Sequence, residues 1–230
     1  MIVIIGAMEV EVEVLKQAME IKEIKTIACS DFYIGTLYGK EVVVVKCNPG
    51  KVNSAQCAQA AILAFSPELI INPGVAGGVA QNIEIGDLVV ASSCCQHDSD
   101  LTAFGSPIGA VSTAKGELIY FDCDKNYSET FSSLAKEVYD GTVHFGVVAS
   151  GDAFIADVEK SNFISTTFNA LACEMESGSI AQVCQLNNCP FVALRSISDN
   201  ANHSGEVDFV SFAKSSAYKT SELIKKFFTM

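Results

Sequence analysis

Short β-branched runs alternate with longer stretches of helical period from one end of the chain to the other. Apolar runs of strand length predict strands at residues 2–6, 32–37, 41–46, 69–72, 86–92, 143–149, 170–175 and 191–197. Apolar positions three and four apart predict helices at 52–65, 127–139, 158–168, 177–186 and 208–228, several of them preceded by Asn, Ser or Asp as caps. The stretch VEVEV has the period of a strand but the position of a helix start, between IIGAM and LKQAME, and the helix reading is favoured. YGKE at 38–41 predicts a hairpin turn between antiparallel strands. This alternation implies an α/β fold around a largely buried sheet. With no repeat, linker or low-complexity stretch, residues 1–230 read as one domain.

Composition narrows the partners. The chain has 230 residues, 49% of them hydrophobic, enough to fill a sizeable core. Fifteen basic against 27 acidic residues give a net charge of -12, which repels nucleic acid and anionic membrane surfaces and leaves a small molecule as the expected partner. The apolar runs are too short to span a bilayer, and the N-terminus lacks the basic flank and cleavage site of a signal peptide, so a cytoplasmic protein is expected. The nine cysteines lie mostly among apolar residues with no C-x-x-C pair, which predicts free core thiols. Cys94-Cys95 precedes His97 and Asp98, but no second cluster completes a tetrahedral set, so no metal is expected.

Ligands of α/β sheets gather beyond the carboxyl ends of strands, and those ends carry chemistry here. MIVII is followed by GAMEVE, LIIN by PGVAGG, FGVVA by SGDAFI, LACEM by ESGS and FVALRSIS by DN. Two acids, Glu174 and Glu176, flank Met175 in a stretch of otherwise small and apolar residues, where an unpaired carboxylate is costly. Arg195, the sole arginine, lies inside the apolar run FVALRSI and needs an acid partner, for which Glu174, Glu176 or Glu11 would serve.

Seven segments occur in an order and spacing that resemble the methylthioadenosine/S-adenosylhomocysteine nucleosidases: IIGAMEVEVEVL, KCNPGKVNSA, INPGVAGG, QHDSDLTAFG, ASGDAFI, CEMES and LRSISDNA. Only about 108–140 looks unlike the family. The resemblance implies a single-domain three-layer α/β fold like that of the purine nucleoside phosphorylases, with a central mixed, partly barrel-like sheet flanked by helices. It also implies hydrolysis of the bond between adenine N9 and ribose C1′, with no cofactor. Such a reaction needs an acid to protonate the leaving base and a base to activate water. By resemblance the acid is Asp199, just past an apolar strand, where desolvation can raise its pKa and hold a proton for purine N7. The water-activating base is Glu11, which spacing alone does not separate from Glu9 or Glu13. For Asp199, helix capping in SDN is the plain structural alternative.

The same resemblance puts Glu176 on the ribose hydroxyls, Met175 against the sugar, Arg195 near ribose and water, Phe154 on the adenine face and the Ile155 backbone on its edge. Val75, Ala76 and Gly77 line sugar and base, and Pro49 touches the 5′ substituent. Leu101 and Phe104 in LTAFG cross a homodimer interface into the partner's site. In a regular strand Glu176 and Met175 face opposite ways, so both reach the sugar only if the strand ends there. Glu174 then sits behind the site, pairing with a neighbouring donor.

Two departures bear on specificity: Val75 stands where many relatives have serine, and NPGK stands where relatives have an aliphatic residue in GIGK or KIGK, with Asn48-Pro49 stiffening the loop. With one arginine, occupied at the ribose, little remains to hold phosphate; Lys51 is one candidate, though such a lysine is commonly surface charge. Hydrolysis is favoured over a methylthioadenosine or purine nucleoside phosphorylase, and over a non-catalytic nucleoside-binding protein.

Overall fold

The computed structural model of the chain describes residues 1–199 and 209–230. Twelve strands and six α-helices are described: β1 (Ile2–Gly6), α1 (Glu9–Ala18), β2 (Glu20–Ile27), β3 (Ser30–Leu37), β4 (Lys40–Lys46), α2 (Lys51–Phe65), β5 (Leu69–Gly78), β6 (Leu88–Gln96), β7 (Val111–Thr113), β8 (Gly116–Leu118), β9 (Tyr120–Asp122), α3 (Lys125–Ala135), β10 (Val143–Ser150), α4 (Val158–Phe168), β11 (Ala170–Glu174), α5 (Ser177–Leu186), β12 (Phe191–Asp199) and α6 (Phe209–Phe228). Among the described residues no helix is long and apolar enough to cross a membrane.

The main sheet runs β11-β10-β6-β12-β5-β1-β4-β3-β2, and β11 also pairs with β5. That extra pairing closes β5, β12, β6, β10 and β11 into a ring, from which β1, β4, β3 and β2 extend as an open wing. Pairing is parallel at β1–β4, β1–β5, β5–β12 and β6–β10, and antiparallel at β5–β11 and β6–β12. The mixed, partly closed sheet agrees with the expected fold class.

Strands covered on both faces read as unbroken apolar runs because both sides must be filled. Val3, Ile5, Val43 and Val45 pack with Ala58 of α2 and Ile180 of α5, whereas Ile4, Val42 and Val44 pack with Leu15 of α1, Phe131 of α3 and Leu223 of α6. Three layers result. The VEVEV segment is helical: Glu11, Val12 and Leu15 face inward while Glu13 is exposed, a period near 3.6 rather than 2. YGKE forms the β3–β4 turn, with Tyr38 and Gly39 at φ 49° and 82°.

Several boundaries differ from the sequence reading. Strand β2 was not expected, because it is exposed on both faces and bulged between Ile21 and Glu23, so no two-residue apolar pattern marks it. PGVAGG is not a loop after β5 but its second half, where Ala76 pairs with Ile197 and Gly77 with both Asp199 and Cys173. β6 and β12 likewise continue past the apolar run, to Gln96 and Asp199. α3 ends at Ala135 rather than at 139, and Asp208, expected to open the last helix, lies outside the described residues.

Helix α5 lies close on β6 because Gly178 has no side chain. A Cβ there would stand 2.5 Å from the Cys95 carbonyl oxygen, and the Gly178 N–H donates to Ser150 Oγ at 2.7 Å. Gly178→Ala is expected to cost about 1–3 kcal/mol, as overpacking does, and to lower Tm in thermal unfolding. A variant as stable as the parent would show that α5 can lift without loss.

Candidate active site

The carboxyl ends of β1, β5, β11 and β12, with the loops after β1, β4 and β10, converge on one cavity. Ala7, Met8 and Glu11 form one wall; Val75, Ala76 and Gly77 of β5 form a second. Pro49, with Phe154 and Ile155, closes the outer side, and Cys173, Glu174, Met175, Glu176, Ser198 and Asp199 complete the lining. Strand β11 stops at Glu174, and Met175 and Glu176 both line the cavity.

Glu11 is buried in the first turn of α1 and reaches back over its own helix start. Its Oε2 accepts from the N–H groups of Ala7 at 2.7 Å and Met8 at 2.9 Å, and its Oε1 from Val75 N–H at 3.4 Å. Burial raises its proton affinity, against the opposing pull of Arg195 and those N–H donors. Glu9 instead pairs with Lys16 and Lys46, and Glu13 bonds Gln17 at the exposed side. Of the three acids, only Glu11 lines the cavity.

Behind the cavity stands Arg195, 2% exposed and outside the lining. Its Nη2 donates to Glu174 Oε2 at 2.6 Å, to Ser177 Oγ at 2.8 Å and to Asn72 Oδ1. Of the three possible acid partners, the structure selects Glu174. That carboxylate also accepts from the Ser150 hydroxyl and from the N–H groups of Glu176 and Ser177 at the start of α5. Burial pushes its pKa up, but Arg195 and these donors outweigh burial and hold Glu174 below the usual range.

Glu176 has less support. One backbone donor, Gly50 N–H, meets its Oε1 at 3.0 Å. Burial and the neighbouring Glu174 charge push its pKa up to about 8, against Arg195 and the Gly50 bond. Asp199 is buried at the end of β12, and its Oδ2 accepts from Ser198 Oγ at 2.8 Å. Phe154 is 62% exposed at the mouth, while Ile155 is buried. Leu101 and Phe104 do not line this chain's cavity; Phe104 is 87% exposed. Lys51 is neither surface charge nor a cavity cation, since its Nζ pairs with Asp98 at 2.6 Å.

The phosphorylase superfamily model matches residues 1–229. A relative from Anoxybacillus flavithermus, a 5′-methylthioadenosine/S-adenosylhomocysteine nucleosidase, is 38% identical over 97% of this chain and 96% of its own. The chain belongs to the methylthioadenosine/S-adenosylhomocysteine nucleosidase family of the phosphorylase superfamily. Among solved nucleosidases, that of Neisseria meningitidis bound to methylthio-immucillin-A superposes with a TM-score of 0.92 at 32% identity, covering 100% of this chain and 99% of that one. Futalosine hydrolase of Helicobacter pylori superposes with a TM-score of 0.89 at 33% identity, covering 97% and 95%.

Three parts of this nucleosidase site were not foreseen. Asn72 donates to the Ile5 carbonyl at 2.7 Å while accepting from Arg195 and Ser177, which ties β1, β5, β12 and α5 together. Ser150 bridges Glu174 and the Gly178 N–H. Gly74 leaves room for two side chains at once, since a Cβ there would stand 2.2 Å from Arg195 Nη1 and 2.8 Å from Glu11 Oε1. Asparagine within the apolar run LIIN was the one available signal.

The raised pKa of Glu176 carries a stability consequence. Between the unfolded value and about 8 the native state holds more protons at this group than the unfolded chain does. Its contribution is therefore complete below pH 4.5 and is lost as pH rises through about 8. Glu176→Gln does not titrate, so its Tm relative to the parent is expected to climb from pH 6 to pH 8. A Tm difference that is flat or falls over that interval contradicts the raised pKa.

Proposed function

We propose that this chain cleaves the N-glycosidic bond of 5′-methylthioadenosine and S-adenosylhomocysteine with water, releasing adenine, and that Glu11 and Asp199 act at the reacting atoms. The observation that carries hydrolysis over phosphorolysis is the charge of the cavity. Among the described residues its ionisable lining is Glu11, Glu174, Glu176, Asp199 and the Cys173 thiol, with neither lysine nor arginine. No cation in this lining is placed to hold phosphate, while water needs only a base and room.

In this reading the C1′–N9 bond breaks with its electron pair leaving on adenine, and Asp199 delivers a proton to N7. Positive charge develops on the sugar, as in glycoside hydrolysis, and the surrounding carboxylates favour it. Water bonds to C1′ as Glu11 takes its proton. Burial raises the proton affinity of Glu11, the direction a general base needs. Glu176 accepts from the ribose hydroxyls and Met175 packs on the sugar, while Arg195 acts through Glu174 as a positioning residue. Phe154 stacks on adenine, the Ile155 backbone bonds its edge, and Val75, Ala76 and Gly77 follow sugar and base. Pro49 bounds the 5′ substituent, with Asn48 before it in the left-handed region at φ 68°.

A homodimer completes the 5′ side through Leu101 and Phe104 of the second copy. What supports this is that Phe104 is exposed, as are Val52 and Leu63 of α2, apolar surface that a second copy would cover. The buried thiols suit the reducing conditions of the cytoplasm.

Hydrolysis is expected at full rate in phosphate-free buffer, with free sugar as the product; turnover requiring phosphate and yielding a sugar 1-phosphate would falsify the reading. Asp199→Asn and Glu11→Gln are each expected to lower kcat by at least ~100-fold with the fold retained by circular dichroism. Near-normal kcat in either removes that residue from its role. Phe104→Asp is expected to shift sedimentation toward monomer and to raise KM, and a fully active parental monomer rules the shared site out.

A further inference from the structure

Three loops meet beside the ribose end of the cavity through side chains that do not line it. Lys51 opens α2, Asp98 follows β6 and Asp152 follows β10. Lys51 Nζ reaches Asp98 Oδ1 at 2.6 Å, Asp98 Oδ2 accepts from Asp152 N–H at 2.9 Å, and Asp152 Oδ1 accepts from Lys51 N–H at 2.8 Å. Each residue thus bonds both of the others in a closed cycle. The Lys51 and Asp98 side chains are 18% and 31% exposed, so the pair is partly shielded from solvent.

The cycle grips the peptide next to the one that holds Glu176. Gly50, at φ 101°, donates its N–H to Glu176, and its neighbour Lys51 donates to Asp152. On the other side the Gly50 carbonyl accepts from Ser54 N–H at 3.1 Å and from Ser54 Oγ at 2.9 Å. Ser54 Oγ in turn meets Ser179 Oγ of α5 at 2.7 Å. A side chain at position 50 would place its Cβ 3.1 Å from Asp152 Oδ1, in a backbone conformation that favours glycine. His97, beside Asp98, is buried against Gly151, and burial lowers its pKa, so it brings no second cation to the cycle.

We propose that Lys51, Asp98 and Asp152 form a clasp of positioning residues that holds the Gly50 N–H on Glu176 and so orients that side chain toward the ribose hydroxyls. The proposal rests on the ribose role given to Glu176. Its physical content is that Glu176 has a single backbone donor, in contrast to the several that serve Glu174, so whatever orients Gly50 sets the one backbone bond that opposes burial and the Glu174 charge at this group. The other groups that face Glu176 are Glu174 on β11, Glu11 on α1, Arg195 and Asp199 on β12 and Cys47 after β4. None of them belongs to the clasp.

Lys51→Met and Asp98→Asn separate the clasp from simple electrostatics, because they change the net charge in opposite directions. A field effect alone raises the Glu176 pKa in Lys51→Met and lowers it in Asp98→Asn. Loss of the Gly50 bond raises it in both. The measurement is a carbon NMR titration of protein labelled at its Glu carboxyls, with the Glu176 signal assigned by its absence in Glu176→Gln. The parent midpoint is expected at about 8. Both variants are expected to move it up by about one pH unit, the scale of one hydrogen bond to a charged group. Lys51→Arg is expected to keep the parental midpoint, and Asp152→Ala, which keeps the Lys51–Asp98 pair but removes the acceptor of the Lys51 N–H, to move it up as well. In turnover the same variants should raise KM more than they lower kcat and carry the acid limb of kcat/KM upward.

Opposite shifts in Lys51→Met and Asp98→Asn, or a midpoint unmoved in both, overturn the clasp. The titration needs no substrate, so a parent enzyme that fails to release adenine counts against the proposed activity alone. Unmoved midpoints in an active enzyme count against the clasp alone.

Discussion

The buried pair of Arg195 and Glu174 is the interaction on which the site is built. Removing one partner of such a pair costs about 3–5 kcal/mol, because the other is left charged in a medium that does not solvate it. Here the surroundings are arranged to prevent that. Asn72 and Ser177 take up Arg195, while Ser150 and the first N–H groups of α5 take up Glu174. One cation thereby serves a region of four acidic side chains, and it is committed to Glu174. The consequence is electrostatic: Glu174 stays ionised, its charge and burial raise Glu176, and burial raises Glu11. Arg195 opposes the rise at both Glu11 and Glu176, and burial prevails over it.

Closure of the ring of strands makes that placement possible. Small residues along the second half of β5 let three strands approach one another, with Gly77 paired to both Asp199 and Cys173. Gly74 leaves the space in which Arg195 and Glu11 lie next to each other. A larger residue at either place would push β12 or α1 outward and separate the acids. The same closure ends β11 at Glu174, which turns Met175 and Glu176 toward one cavity instead of opposite faces of a sheet.

The loops add what the sheet does not supply. Pro49 and Gly50, after β4, bring an apolar wall and a backbone donor to the same edge, and the cycle of Lys51, Asp98 and Asp152 joins that edge to two other loops. The loop after β6 also carries Leu101 and Phe104 outward from the cavity. Asp98 and the exposed Phe104 are therefore parts of one connected segment, tied to the Gly50 edge by charge-assisted bonds.

Local pattern by itself determined the alternation of strands and helices, the buried central strands, the helices α4 and α5 to the residue, and the concentration of acids beyond strand ends. These are consequences of burial on both faces and of side-chain period, which neighbours in the chain express directly. Motif resemblance added Glu11, Glu176 and Asp199 as members of one site. Tertiary structure alone decided which of three acids at the start of α1 turns inward, that Arg195 joins Glu174 and stands behind the cavity, and that Lys51 is held by Asp98. It also decided that PGVAGG is strand, because glycine has no strand pattern of its own and acquires one only where two other strands must come close. Asn72 and Ser150 belong to the same class: a polar residue in a strand has meaning only through the buried charge it serves, and that charge comes from a residue more than twenty positions away in the chain.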